Sequence, residues 1–249
     1  MIDKVAITRR ICPVFFLLDT SGSMKGAPIG AVNAAMEGIL PELVSMNYDN
    51  ADIEIKIAVM TFNTAPKWET GFGLIDPETY YWQDINAGGL TAMGDAFLKL
   101  DEALSVNNGF MQEASGSVAP VLFLLSDGEP TDEGFEAKLE ELKQNNWYKV
   151  AARVAVGYQD SNDAVLREFT GTSESVIHTN DPYELREWIK FISITSSMVA
   201  SKGGTRLEDY GDDYSDDMTE AVVEELKGAP MMPPELPELS DAYDDDEVW

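Results

Sequence analysis

Hydrophobic positions along the first 190 residues switch period repeatedly. Residues 11–18, ICPVFFLL, are an unbroken apolar run, the pattern of a strand covered on both faces. Pro28 suits a first helical turn, and Ile29, Val32, Met36, Ile39, Leu40 and Leu43 then recur at helical spacing. Ile53, Ile55, Ile57 and Val59 alternate as in a strand, with residues 66–74 as its hairpin partner. Met93, Phe97, Leu100 and Leu104 mark a second helix, residues 118–125 another buried strand, and Phe135, Leu139 and Leu142 a third helix. A strand at 150–156, a short helix at 163–169 and a strand at 175–178 follow. Leu185, Trp188, Ile189 and Ile192 mark a closing helix, capped by Asp181 and opened by Pro182. This order predicts an α/β fold, a doubly wound, mostly parallel central sheet flanked by helices on both faces.

Charge changes this picture at one end. Residues 206–249 hold 16 Asp and Glu against 2 Lys and Arg, half of the net charge of −28. The same stretch contains PMMPPELPEL, which resists regular structure. The chain therefore divides into a folded domain at 1–200 and an acidic, proline-containing tail at 201–249, mostly disordered or loosely docked. Within the tail, Met218, Val222 and Leu226 share one helical face, and the terminal DAYDDDEVW is rich in carboxylates. A surface this negative repels phosphates, which argues against nucleic acid and anionic membranes as partners.

The single cysteine, Cys12, lies inside an apolar run and reads as a small buried side chain. RRICPVFFLL begins like a secretory leader, but the run is short, Asp19 ends it, and no small-residue cleavage site follows. No other segment approaches a membrane span, so the expected location is cytoplasmic.

In parallel α/β sheets, ligands bind beyond the carboxyl ends of the strands. The first strand ends in DTSGSM, and the strand at 118–125 ends in SDGEPTD. AGGLTAMGDAF opens the second helix between them. Together these loops offer two carboxylates, Asp19 and Asp127, and three hydroxyls, Ser21, Ser23 and Thr91. Oxygen donors without nitrogen or sulfur suit a hard cation, Mg²⁺, with Mn²⁺ or Ca²⁺ as alternatives. Two carboxylates roughly balance a divalent charge, and the hydroxyls add coordination without charge. An ion held this way keeps room for an incoming carboxylate.

The motifs DTSGSM, GGLTAMG and SDGEPTD, in this order, resemble the von Willebrand factor A domain over roughly residues 10–198. The resemblance implies a metal-ion-dependent adhesion site formed by Asp19, Ser21, Ser23, Thr91 and Asp127, and a partner protein that offers an acidic side chain to the metal. Within that family, LLDTSGSMKGAPIGAVN and SDGEPTD are most similar to bacterial members like the tellurium-resistance protein TerY. That likeness implies a stress-response system with kinase or phosphatase components among the partners.

Other chemistries fit less well. The serines could simply cap the next helix. A serine hydrolase would want Gly-x-Ser-x-Gly, whereas Ser23 lies in GSMKG, and the only histidine is His178. Neither a Walker lysine motif nor a Gly-x-Gly-x-x-Gly is present. A binding module, not an enzyme, is therefore expected, with a metal-dependent hydrolase or phosphatase, or a scaffold with a purely structural cation, as alternatives. Asp95 and Asp132, near the proposed site, are either exposed helix and loop acids or acceptors of hydrogen bonds from metal-bound water or a ligating hydroxyl. Lys25 and the aromatic residues Trp68, Tyr80, Tyr81 and Trp82 are either packing or solvated residues or parts of a partner surface.

Overall fold

The structure is a computed structural model and describes residues 9–113, 117–127, 129–159, 161–172 and 175–189, together with Ala221 and Glu224. The proposed division at residue 200, the tail's apolar helical face and Ile192 lie outside the described residues.

The apolar runs become strands of one sheet. These are β1 (Arg10–Asp19), β2 (Ile53–Phe62), β3 (Pro66–Trp68), β4 (Val121–Ser126), β5 (Ala152–Tyr158) and β6 (Val176–Thr179), in the spatial order β3-β2-β1-β4-β5-β6. All neighbours are parallel except β2 and β3. Connecting them are α1 (Ala27–Asp49), α2 (Met93–Ala103), α3 (Phe135–Leu142), α4 (Asn146–Val150) and α5 (Asp163–Thr170). Residues 182–189 form a further helix, α6, whose first turn is held by Asp181 Oδ1 accepting from the Tyr183 and Glu184 amides.

Both sheet faces are covered, which is why the central strands carry no polar alternation. Val14, Phe16 and Leu18 of β1 pack against α1 and α6 through Val32, Met36, Ile39, Leu185 and Ile189. Phe15 and Leu17 face the other side, against Phe97 and Leu100 of α2, Leu139 of α3 and Phe169 of α5. Cys12 is fully buried, and burial pushes its thiol pKa up to about 12, so it stays protonated and unreactive.

Three local readings change. β3 is only three residues long: beyond Trp68 the chain stays tied to β2 through Glu69 N–H to Val59 O, the Thr70 hydroxyl and an isolated bridge between Ile57 and Ile75, without a continuous ladder. β4 begins at Val121, not at 118, since Pro120 has no amide to give the ladder. The strand expected at 150–156 starts at Ala152, after α4. Asn145 nucleates that helix by accepting from the Trp147 and Tyr148 amides.

Strand order locates the site. From β1 the chain steps to β2 on one side, while β4 lies on the other, so the topology switches direction between β1 and β4. A crevice opens at such a switch point beyond the carboxyl ends of the two strands. Asp19 is the last residue of β1, and Asp127 directly follows β4.

Candidate metal centre at the β1–β4 switch point

Register brings the two acids together. Leu18 pairs with Leu125, so the next residues, Asp19 and Ser126, are also neighbours. The Ser126 hydroxyl donates to Asp19 Oδ2 at 2.7 Å, and the Ser21 amide donates to Asp19 Oδ1 at 2.7 Å. Asp19 is thus fully buried and fixed by two donors from different segments.

Gly22–Met24 forms a single 3-10 turn that carries the two serines to Asp127. The Ser23 hydroxyl donates to Asp127 Oδ1 at 2.9 Å. The Ser21 and Ser23 hydroxyls lie 3.0 Å apart, and Ser21 Oγ lies 3.4 Å from Asp127 Oδ1. The other oxygen, Asp127 Oδ2, is buried and has no hydrogen-bond partner. Neither acid has an ion-pair partner among the described residues.

These distances fit a cation. An octahedral ion with bonds near 2.1 Å holds adjacent oxygens about 3.0 Å apart. The triangle formed by Ser21, Ser23 and Asp127 Oδ1 has two edges of that size, 2.9 and 3.0 Å, and a third of 3.4 Å. No cluster of three or more His, Cys, Asp or Glu exists among the described residues, so the donor set is carboxylate plus hydroxyl. That set suits a hard ion.

Electrostatics points the same way. Burial pushes the Asp19 pKa up to about 6, against the hydrogen bonds from Ser126 and Ser21, and the Asp127 charge adds to the rise. Burial also raises Asp127, partly offset by Ser23. Two desolvated acids with no compensating positive charge are costly when ionised.

Thr91 reaches the same rim through backbone stitching. Gly22 N–H donates to Gly89 O at 3.1 Å and Gly88 N–H to Thr20 O at 2.8 Å. Thr91 is nearly buried, but its hydroxyl makes no hydrogen bond to the other four side chains. Gly89 has φ +89, and a Cβ there would sit 2.5 Å from Thr64 Oγ1. Gly89→Ala is expected to cost about 2 kcal/mol and to displace the Thr91 loop, as read by urea denaturation.

Sequence reasoning passed over Thr131 and Lys138, which hold the loops around the site. Thr131 grips Thr91 twice, its hydroxyl accepting from the Thr91 amide at 3.0 Å and its amide donating to the Thr91 carbonyl at 2.9 Å. Asp132 accepts from the Gly94 and Asp95 amides, and Lys138 Nζ lies 2.7 Å from both Asp132 Oδ2 and Asp95 Oδ1. Asp95 and Asp132 thus tie the start of α2 to α3. Asp132→Ala should cost about 1–2 kcal/mol in urea denaturation by stripping the two α2 amides of their acceptor. It should also weaken Mg²⁺ binding about tenfold in calorimetry, because the first turn of α2, which directly follows the Thr91 loop, is loosened.

The remaining candidates lie elsewhere. Lys25 is exposed. Trp68 packs on Phe15 and Phe110, and Trp82 donates to Asn33, while Tyr81 stays open to solvent. His178 Nδ1 lies 3.1 Å from Asp163 Oδ1 and 3.3 Å from Ser161 Oγ, not beside Ser23.

An open, mostly parallel sheet with carboxylate and hydroxyl oxygens gathered at its switch point defines a doubly wound α/β class with a crevice whose donors suit a hard cation. The chain matches the von Willebrand factor type A domain family over residues 14–190 and belongs to it. No curated protein matches in sequence. Solved structures share the fold. One is a von Willebrand factor type A protein from Catenulispora acidiphila, 20% identical with TM-score 0.55, covering 77% of this chain and 43% of that one. Another is proximal thread matrix protein 1 from the mussel byssus with a zinc-occupied MIDAS motif, 17% identical with TM-score 0.55, covering 74% and 48%. The vWF domain of a type V pili tip protein from Porphyromonas gingivalis is 12% identical with TM-score 0.55, covering 81% and 98%. The chain thus spans about half, or less, of the length of the first two. Among the described residues, no helix is long and apolar enough to cross a membrane.

Proposed function

We propose that the β1–β4 rim is a metal-ion-dependent adhesion site through which this domain binds an acidic side chain of another protein. The observation that carries this reading is Asp127, whose Oδ1 forms a triangle with the Ser21 and Ser23 hydroxyls with edges of 2.9, 3.0 and 3.4 Å, and whose other oxygen, Oδ2, is buried with no hydrogen-bond partner. Asp127, Ser21 and Ser23 would hold the ion directly. Asp19, already accepting from Ser126 and Ser21, keeps further lone pairs for the ion or its waters. Thr91 would complete the set from its clamped loop. The two acids balance the charge of a divalent ion, the hydroxyls add none, and a coordination position left to water would give an incoming carboxylate its place.

Family membership supports the general reading, since such domains commonly mediate metal-dependent protein interactions. The ion is proposed to be Mg²⁺, with Mn²⁺ or Ca²⁺ able to replace it; in the mussel byssus protein the corresponding motif holds zinc. A binding role is favoured over hydrolysis because Ser23 is hydrogen-bonded to Ser21 and Asp127, and His178 pairs with Asp163 and Ser161. The likeness of LLDTSGSMKGAPIGAVN to TerY-type proteins supports a cytoplasmic role in a bacterial stress response with kinase or phosphatase partners.

The test is a pull-down with immobilised full-length protein in Mg²⁺ and in chelator, beside Asp127→Ala. Partners retained only by the wild type, and only with Mg²⁺, are expected. Identical retention in chelator would overturn the reading. Circular dichroism of Asp127→Ala separates loss of the ion from loss of the fold.

A further inference from the structure

A second surface lies apart from the ion. Toward the far end of α2, a groove of about 1160 Å³ opens between β3, the 71–72 loop, residues 105–110 and the start of α4. An aromatic series leads into it from the core. Trp68 lies 6.2 Å from Phe15 and 4.8 Å from Phe110, and Phe72 meets Phe110 edge-on at 5.0 Å. Phe72 is nonetheless 83% exposed, with Val106 half open beside it. Trp147, only 4% exposed, lines the groove, and its indole Nε1 has no hydrogen-bond partner. Phe72 is thus an open ring at the mouth of a groove walled by buried aromatic rings, one of which carries a donor without a partner, and such a combination is unusual for a surface with no ligand.

We propose that this groove binds the chain's own proline-rich segment, residues 230–239, PMMPPELPEL. The inference does not depend on the ion. Aromatic-lined grooves hold polyproline II ligands by packing ring against ring, because proline fixes its own backbone and little entropy is lost on docking. Met231, Met232, Leu236 and Leu239 add apolar surface to four prolines.

Charge selects this segment over the rest of the tail. The charged residues lining the groove are Lys67 and Lys99 against Asp101 and Glu102, so it is neutral within a chain of net charge −28. Residues 230–239 carry two acids, whereas 206–225 carry nine and 241–249 carry five. Those flanking stretches would bring five to nine negative charges to a groove with no net positive charge, on a domain that is itself negative.

Reach is sufficient. α6 packs on the α1 face of the sheet, while Trp68, Phe110 and Trp147 belong to the opposite face. Residues 190–229 separate α6 from the segment, and forty residues can extend about 130 Å. A domain of this size has a radius of gyration of about 16 Å. Tethering also makes the encounter intramolecular, so a weak groove contact is enough to fill it.

Hydroxyl-radical footprinting of the full-length chain with mass spectrometry tests this. Met231 and Met232 should be oxidised several-fold more slowly in wild type than in Phe72→Ser, a change at an exposed position that leaves the melting curve in place. Reciprocally, Leu236→Asp should raise oxidation of Phe72 and Trp68. Equal oxidation of the two methionines in wild type and Phe72→Ser would overturn the proposal, as would protection unaffected by Leu236→Asp. Protection that disappears on dilution would assign the groove to a second copy of the chain and also overturn it.

Discussion

Asp19→Asn will raise the melting temperature of the metal-free protein while abolishing its response to Mg²⁺. Asparagine keeps the shape of the carboxylate. Its oxygen still accepts from the Ser21 amide, and its NH₂ meets Ser126 with the donor and acceptor roles exchanged. Only the charge disappears. With its pKa pushed up to about 6 by burial, Asp19 is ionised at neutral pH at a cost of roughly 3 kcal/mol relative to the unfolded chain. Removing that cost corresponds to a gain of up to about 10 °C for a domain of this size. The same change takes away half the anionic charge of the site, so Mg²⁺ affinity in calorimetry should fall about 100-fold. A variant that is less stable in chelator and still binds Mg²⁺ would show that Asp19 is a structural cap.

The second large effect is a pH dependence opposite to that of most surface acids. A salt-bridged carboxylate has a depressed pKa and loses stability as pH falls. Asp19 has a raised one, so between about pH 4 and pH 6 the folded state binds the extra proton. Its contribution to stability is therefore greatest below the unfolded pKa and is lost as pH rises through about 6. Asp127, raised by the same desolvation, acts in the same direction. In chelator, the melting temperature should be higher at pH 5 than at pH 7.5, aided by relief of self-repulsion in a chain of net charge −28. In Mg²⁺ the order should reverse or flatten, because the ion competes with protons for the same oxygens and stabilises only where they are ionised. An Mg²⁺-induced shift in melting temperature as large at pH 5 as at pH 7.5 would place the ion elsewhere.

Both effects arise from contacts between residues more than 100 positions apart, and this marks how far the chain could be read directly. α2, α3 and α5 were legible because each buries one stripe at helical spacing, such as Met93, Phe97 and Leu100. α4 was not. Its last residue, Val150, read as the start of the strand at 150–156, and Asn145 became informative only once it was seen accepting from two amides. Asp95 and Asp132 were noticed for their nearness to the site, but sequence distance says nothing about Lys138, which draws both away to α3.

The order of apolar runs and amphipathic stripes determined a parallel sheet covered on both faces, because burial on two sides leaves no polar alternation in a strand. The motifs at the strand ends determined which oxygens are on offer, since residue type alone fixes donor chemistry. Tertiary structure decided how those oxygens behave. The β1–β4 register places Ser126 against Asp19, the 3-10 turn sets Ser21 and Ser23 around Asp127 Oδ1, and Asp127 Oδ2 is left buried without a partner. Desolvation and unsatisfied lone pairs depend on what surrounds an atom in space, and no stretch of sequence carries that information.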